Sequence, residues 1–124
     1  MKTPILYYLN KAKIESKKSN HYKVKIGAIL VNKGKVVSTG FNKLRHNRHR
    51  QYSRWQNSVH AEIDCLLKAG NSAGGTLYVY RENKNGELAI CKPCIFCQIL
   101  IREKNIKKII YTTSYYPNYV EEYI

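Results

Sequence analysis

Two short motifs that must meet in space set the first constraint on how this chain folds. His60-Ala61-Glu62 stands at the opening of one predicted helix and Pro93-Cys94-Ile95-Phe96-Cys97 at the opening of another. A CxxC whose second half lies on a helical turn brings two thiolates to one side, as tetrahedral Zn²⁺ requires, and an imidazole from a second helix start supplies a third ligand. Helix N-termini favour thiolate over thiol, so both sulfurs are partly prepared to bind. His60, Cys94 and Cys97 then leave a fourth position open. A fold that uses both motifs has to set two helix N-termini side by side.

Two thiolates cancel the formal charge of Zn²⁺ and leave its water less acidic than in an all-histidine site, so the chemistry needs a nearby base. Glu62, two residues from His60 on the same helix, stands beside the metal without ligating it and is the candidate proton carrier. Cys91 makes a second, overlapping CxxC with Cys94. A closed site of His60 with three cysteines would be structural, having no water to activate, and would leave Glu62 without a purpose. Cys65 falls about 140° around the helix from His60 and reads as a core thiol.

Around these motifs the sequence predicts alternating helices and strands. Ile5, Tyr8, Leu9 and Ala12 give residues 4–17 helical spacing behind a Thr3 cap. Residues 26–32, the turn Lys33-Gly34 and residues 36–39 read as a β-hairpin. Asn57 or Ser58 caps the next helix, with Val59, Ile63, Leu66 and Leu67 on its apolar face and Gly70 at its end. Residues 76–80 form a strand and 83–86 a turn, after which Leu88 to Ile90 fold back or run on. A third helix after Pro93 carries Ile95, Phe96, Ile99 and Leu100 inward, Asn105 stops it, and residues 107–112 are a buried strand. This order calls for an α/β fold, a mixed sheet covered by helices with right-handed crossovers between the later strands.

The 124 residues make one domain, 1–124. At 44% hydrophobic and 24% charged, the composition excludes a disordered or fibrous chain. No apolar run approaches the roughly 20 residues that span a bilayer, and residues 1–20 lack a signal-peptide pattern, so the expected place is intracellular and cytoplasmic, with thiols or metal ligands in place of disulfides. The 22 Lys and Arg against 8 acids give +14, enough to attract phosphate-bearing partners. The lysines as a group read equally well as a solvated surface. Four of the arginines are harder to dismiss: Arg45, Arg48, Arg50 and Arg54 cluster with Lys43, His46 and His49 without an acid, which makes the long loop 43–54 a candidate anion site.

HxE followed by PCxxC resembles the zinc-dependent cytidine and deoxycytidylate deaminase superfamily, of which that pattern is the signature. The resemblance covers nearly the whole chain, from the hairpin to the strand after the second zinc helix. It implies a three-layer α-β-α fold with a mixed four- to five-stranded sheet, zinc held by His60, Cys94 and Cys97, and Glu62 as proton shuttle. The implied reaction is hydrolytic attack on the ring carbon that bears the amino group, with release of ammonia. Gly40-Phe41-Asn42 is similar to the family's substrate-facing turn, which implies that Asn42 contacts the sugar, and the backbone of Ala61 would read the base edge. Two departures stand out. Residues 81–92 intervene before PCxxC, where many members run directly into it, and little chain follows residue 112, which leaves the family's fifth strand open.

A free pyrimidine nucleotide or nucleoside such as deoxycytidylate is the first reading of the substrate, with Lys43, Arg45 or Arg48 taking the phosphate. The alternative is a cytosine within single-stranded DNA or RNA, for which the 43–54 stretch is a basic track and Tyr52, Trp55, Tyr115 and Tyr116 are stacking faces. In a chain with 11 tyrosines, packing at a sheet edge explains such aromatics equally well. A purine base is the third choice. The non-enzymatic reading is a zinc-stapled basic module that binds nucleic acid without turnover. The resemblance also implies homo-oligomers formed through helix faces, which the excess positive charge opposes.

Overall fold

The computed structural model describes residues 4–20, 24–44, 58–70, 74–90 and 92–124. Helix α1 (Pro4–Ser16) precedes a hairpin of β1 (Val24–Asn32) and β2 (Lys35–Phe41). Its turn residues Lys33 and Gly34 both have positive φ, 54° and 77°, as the tight primed hairpin turn requires. Among the described residues the short strands β3 (Lys43–Leu44) and β4 (Ser58–Val59) pair with each other, and β4 leads into α2 (Ala61–Ala69). Strand β5 (Thr76–Asn83), helix α3 (Ile95–Glu103), and strands β6 (Lys108–Thr112) and β7 (Tyr119–Tyr123) complete the order.

The main sheet runs β2-β1-β5-β6-β7, with β5 and β6 parallel and every other neighbouring pair antiparallel. Side-chain alternation along β5 divides the core in two. Tyr78 and Tyr80 join Leu9 and Ala12 of α1 on one face. Leu77 and Val79 join Ile63 and Leu66 of α2 and Leu100 and Ile101 of α3 on the other. The result is the expected three-layer α-β-α arrangement with a mixed sheet. Because α3 begins after β5 ends and crosses to the parallel β6, its N-terminus lies at the carboxyl end of those strands, where open α/β sheets bind ligands.

Several local expectations are corrected. The fifth strand exists: β7 returns along β6 with Lys108 opposite Tyr123 and Thr112 opposite Tyr119. Of the two courses open to them, Leu88 to Ile90 fold back, with a single antiparallel bridge from Leu88 to Glu82. Ser58 does not cap α2, and Asn57 lies outside the described residues. The chain stays extended through β4, and His60 (φ −71°, ψ 148°) is the cap residue. Ile95 and Ile99 do not turn inward; they are 62% and 48% exposed. The buried face of α3 is Cys97, Leu100 and Ile101, and residues two positions from Cys97 fall about 160° away from it. Among the described residues no helix is long and apolar enough to cross a membrane.

Candidate metal centre

His60 and Cys94 are the cap residues of α2 and α3, and the packing of both helices on one sheet face brings their side chains together with Cys97. His60 Nδ1 lies 3.4 Å from Cys97 Sγ and 3.5 Å from Cys94 Sγ, and the two sulfurs are 3.5 Å apart. Tetrahedral zinc, with bonds of about 2.3 Å to sulfur and about 2.0 Å to nitrogen, separates two sulfurs by about 3.8 Å and sulfur from nitrogen by about 3.5 Å. The three side chains therefore fit a zinc ion with shifts of a few tenths of an ångström. They are the one His/Cys/Asp/Glu group among the described residues whose ligand atoms converge in this way.

The electrostatics suit the same use. A hydrogen bond shared with Cys97, together with the His60 imidazole, overcomes burial and holds the Cys94 thiol down to about 4. The contact with Cys94 outweighs burial and raises the His60 pKa, while the shared proton and burial push Cys97 up. A proton held between two adjacent sulfurs and an imidazole is what a metal ion displaces on binding. Glu62, on the first turn of α2, is 6% exposed. Burial raises its pKa, and the attraction of His60 and Arg81 only partly offsets this. A shift in this direction brings a carboxyl nearer to the range in which a general acid or base works.

The wall beside α2 is built by close approach. A Cβ on Gly40 would sit 2.5 Å from Cys65 N and 2.6 Å from Ala61 O, so the end of β2 lies directly on the helix backbone and admits only glycine. Ser38 Oγ donates to the Cys65 carbonyl over 2.7 Å. Cys65 is fully buried in the core, and burial pushes its thiol up to about 12. One turn past His60, Asp64 accepts from the Phe41 N–H (3.2 Å) and pairs with Lys43 (3.0 Å) and Lys68 (3.2 Å). Asp64 thereby ties the 41–43 turn to the helix that carries His60 and Glu62. Nothing in the sequence motif singled it out, although its helical spacing of four from His60 places it on the same face.

The remaining candidates divide. Asn42 is buried, with Oδ1 accepting from Ile26 N–H (2.9 Å) and Nδ2 donating to the Val24 carbonyl (3.1 Å), so its amide holds the turn to β1. Ala61 is buried at the first position of α2 and meets Gly40 through its carbonyl. Lys43, a candidate for a substrate phosphate, is engaged by Asp64. Tyr115 is exposed in the turn between β6 and β7. Arg45, Arg48, Arg50, Arg54, Tyr52, Trp55 and Cys91 lie outside the described residues.

Comparison with known proteins gives the same reading of the motifs. The model of the cytidine and deoxycytidylate deaminase zinc-binding region matches residues 2–113. The deoxycytidylate deaminase of Schizosaccharomyces pombe is 28% identical over 127 residues, covering 88% of this chain; the chain spans only 37% of that relative's length. The tRNA-specific adenosine deaminase of Buchnera aphidicola is 32% identical over 92 residues, covering 74% of this chain and 54% of that protein. Among solved structures, the dCMP deaminase of cyanophage S-TIM5 superposes with a TM-score of 0.68 at 24% identity, over 91% of this chain and 86% of that one.

Proposed function

The chain belongs to the cytidine and deoxycytidylate deaminase zinc-binding family, and on that footing we propose that it hydrolyses the exocyclic amine of cytosine in a free pyrimidine nucleotide such as deoxycytidylate. The observation that carries this reading is the convergence of His60, Cys94 and Cys97 beside the buried carboxyl of Glu62. His60 through Nδ1 and the two cysteine sulfurs would hold the zinc. When bound, zinc supplies a Lewis acid that makes water nucleophilic near neutral pH.

Glu62 does the proton work. Its carboxylate takes a proton from the attacking water and passes it to the ring nitrogen next to the reacting carbon. It then takes the second proton and gives it to the departing amine. Water in and ammonia out convert cytosine to uracil, and Glu62 ends as it began. Burial keeps bulk water from competing for those protons. The N-terminal turn of α2 leaves backbone N–H groups without intrahelical partners, and that of Ala61 would donate to the base.

The nucleotide is preferred to the polynucleotide because the S. pombe relative, matched over 88% of this chain, is a deoxycytidylate deaminase. The test is a parallel incubation of the zinc-loaded protein with deoxycytidylate, deoxycytidine, adenosine and a cytosine-containing single strand, read by the ultraviolet shift on deamination. Conversion of deoxycytidylate at the highest rate is expected. Conversion of the strand or of adenosine alone would contradict it.

A further inference from the structure

Among the described residues near the centre, Arg81 carries a charge with no carboxylate at ion-pair distance, although it attracts the more distant Glu62. Along β5, Leu77 and Val79 face α2 and α3, so by alternation Arg81 projects on the same side as Glu62 and Cys97. It stands at the carboxyl end of the strand, where Thr112 Oγ1 of β6 accepts its backbone N–H (3.1 Å) and in turn donates to the Ala89 carbonyl (3.0 Å). The Ala89 N–H closes this knot on the Arg81 carbonyl (3.1 Å). The inserted segment that separates β5 from PCxxC thus folds back over Arg81, and its Ile90 carbonyl accepts from Nη1 (3.3 Å).

One edge of the guanidinium is fixed by that bond, while the buried Nε has no partner. Among the described residues no carboxylate lies within the 4.0 Å of an ion pair with Arg81, whereas Lys43 is matched by Asp64 and Lys92 by Glu122. A partly buried guanidinium with no counter-ion at contact distance is costly, and an unpaired buried donor adds to that cost. Such a group is stable in the working protein when a ligand answers it. Its planar fork matches the oxygens of a phosphate better than any single carbonyl, and a nucleoside monophosphate offers one such group beyond its base.

We propose that Arg81 is a substrate-binding residue that takes the 5′-phosphate of a nucleotide, so that the chain selects nucleotides over nucleosides. This rests on the deaminase reading for the ligand's base but not on turnover. The test is equilibrium binding of deoxyuridylate and deoxyuridine to the zinc-loaded protein. The wild type binds the nucleotide at least about tenfold more tightly. Arg81→Gln reduces that ratio about tenfold and leaves deoxyuridine affinity unchanged, and Arg81→Lys, which keeps charge without the fork, falls between. An unchanged ratio, or equal weakening of both ligands, overturns the proposal. If Arg81→Gln does not fold, the ratio is read on Arg81→Lys, where a loss of about threefold confined to deoxyuridylate supports it and no loss overturns it. A wild type that binds deoxyuridylate through Arg81 yet releases no ammonia would overturn the deaminase reading alone, and turnover with an unchanged ratio would overturn this inference alone.

Discussion

Replacing Gly40 with alanine would drive a methyl group into the backbone of the helix that carries His60 and Glu62. The new carbon would lie 2.5 Å from Cys65 N and 2.6 Å from Ala61 O, short of ordinary contact at 3.4 Å by about 0.9 Å. Neither obstacle is a side chain that can swing away, so β2 and α2 must separate. Overpacking against backbone costs about 3 kcal/mol, or about 10 °C in melting temperature for a chain of this size. The shift moves the first turn of α2, and a misplacement of about 1 Å at a reacting group costs about 100-fold in rate. Circular dichroism melting and a deamination assay on zinc-loaded protein measure both effects. If Gly40→Ala melts within about 2 °C of the wild type and keeps its rate, the argument that contact with the helix backbone positions Glu62 is wrong.

The buried carboxylate of Glu82 bonds Lys17 (3.0 Å) and the Tyr80 hydroxyl (3.0 Å). Burial raises its pKa, but these partners outweigh it and hold the net value below the usual range. Its stabilisation is present above the unfolded pKa of about 4.3 and is lost as pH falls through the lower folded value. Melting temperatures of the wild type and Glu82→Gln should therefore converge below pH 4 or so; a constant gap down to pH 3 contradicts this. Asp64→Ala strands Lys43 and the Phe41 N–H and should cost about 2–3 kcal/mol in urea unfolding. Asp64→Asn, which keeps an acceptor for Phe41, should cost measurably less, and equal losses would remove the clamp from the account. In native protein stripped by a chelator, iodoacetamide should label Cys94 first and leave Cys65 intact. Zinc should protect Cys94, as read by peptide mass mapping; labelling of Cys65 in the folded state would refute its place in the core.

The parts of the fold that local patterns write were legible in advance. Leu9 and Ala12 of α1, the Lys33-Gly34 turn and the β6 strand follow from spacing and turn chemistry within a few residues. The grouping of His60 with Cys94 and Cys97 was legible because each motif sits at a helix start and the resemblance supplied their meeting. What depended on partners was not. Strand β7, Tyr-Val-Glu-Glu-Tyr, has no clean alternation and is a strand because β6 offers it an edge. Ile95 and Ile99 looked like core by composition, but the demand that Cys97 face α2 rotates them outward. Asp64 stands out only once β2 is laid against it, and Arg81 gained meaning only from strand parity and the fold-back of the inserted segment. Asn42, singled out by its motif-like turn, also has a structural part that the motif did not show, with each end of its amide bonded to the backbone of β1.

The most direct measurement is zinc content and ammonia release on the same preparation of Glu62→Gln. The substitution keeps the size of the side chain and removes its capacity to carry a proton, while His60, Cys94 and Cys97 are untouched. One zinc per chain with an unchanged melting curve is expected, together with a fall in ammonia release from deoxycytidylate of about 100-fold to 10,000-fold. Turnover at the wild-type rate, or loss of zinc with the carboxylate, would contradict the division of labour between the three metal-holding side chains and the carboxyl beside them.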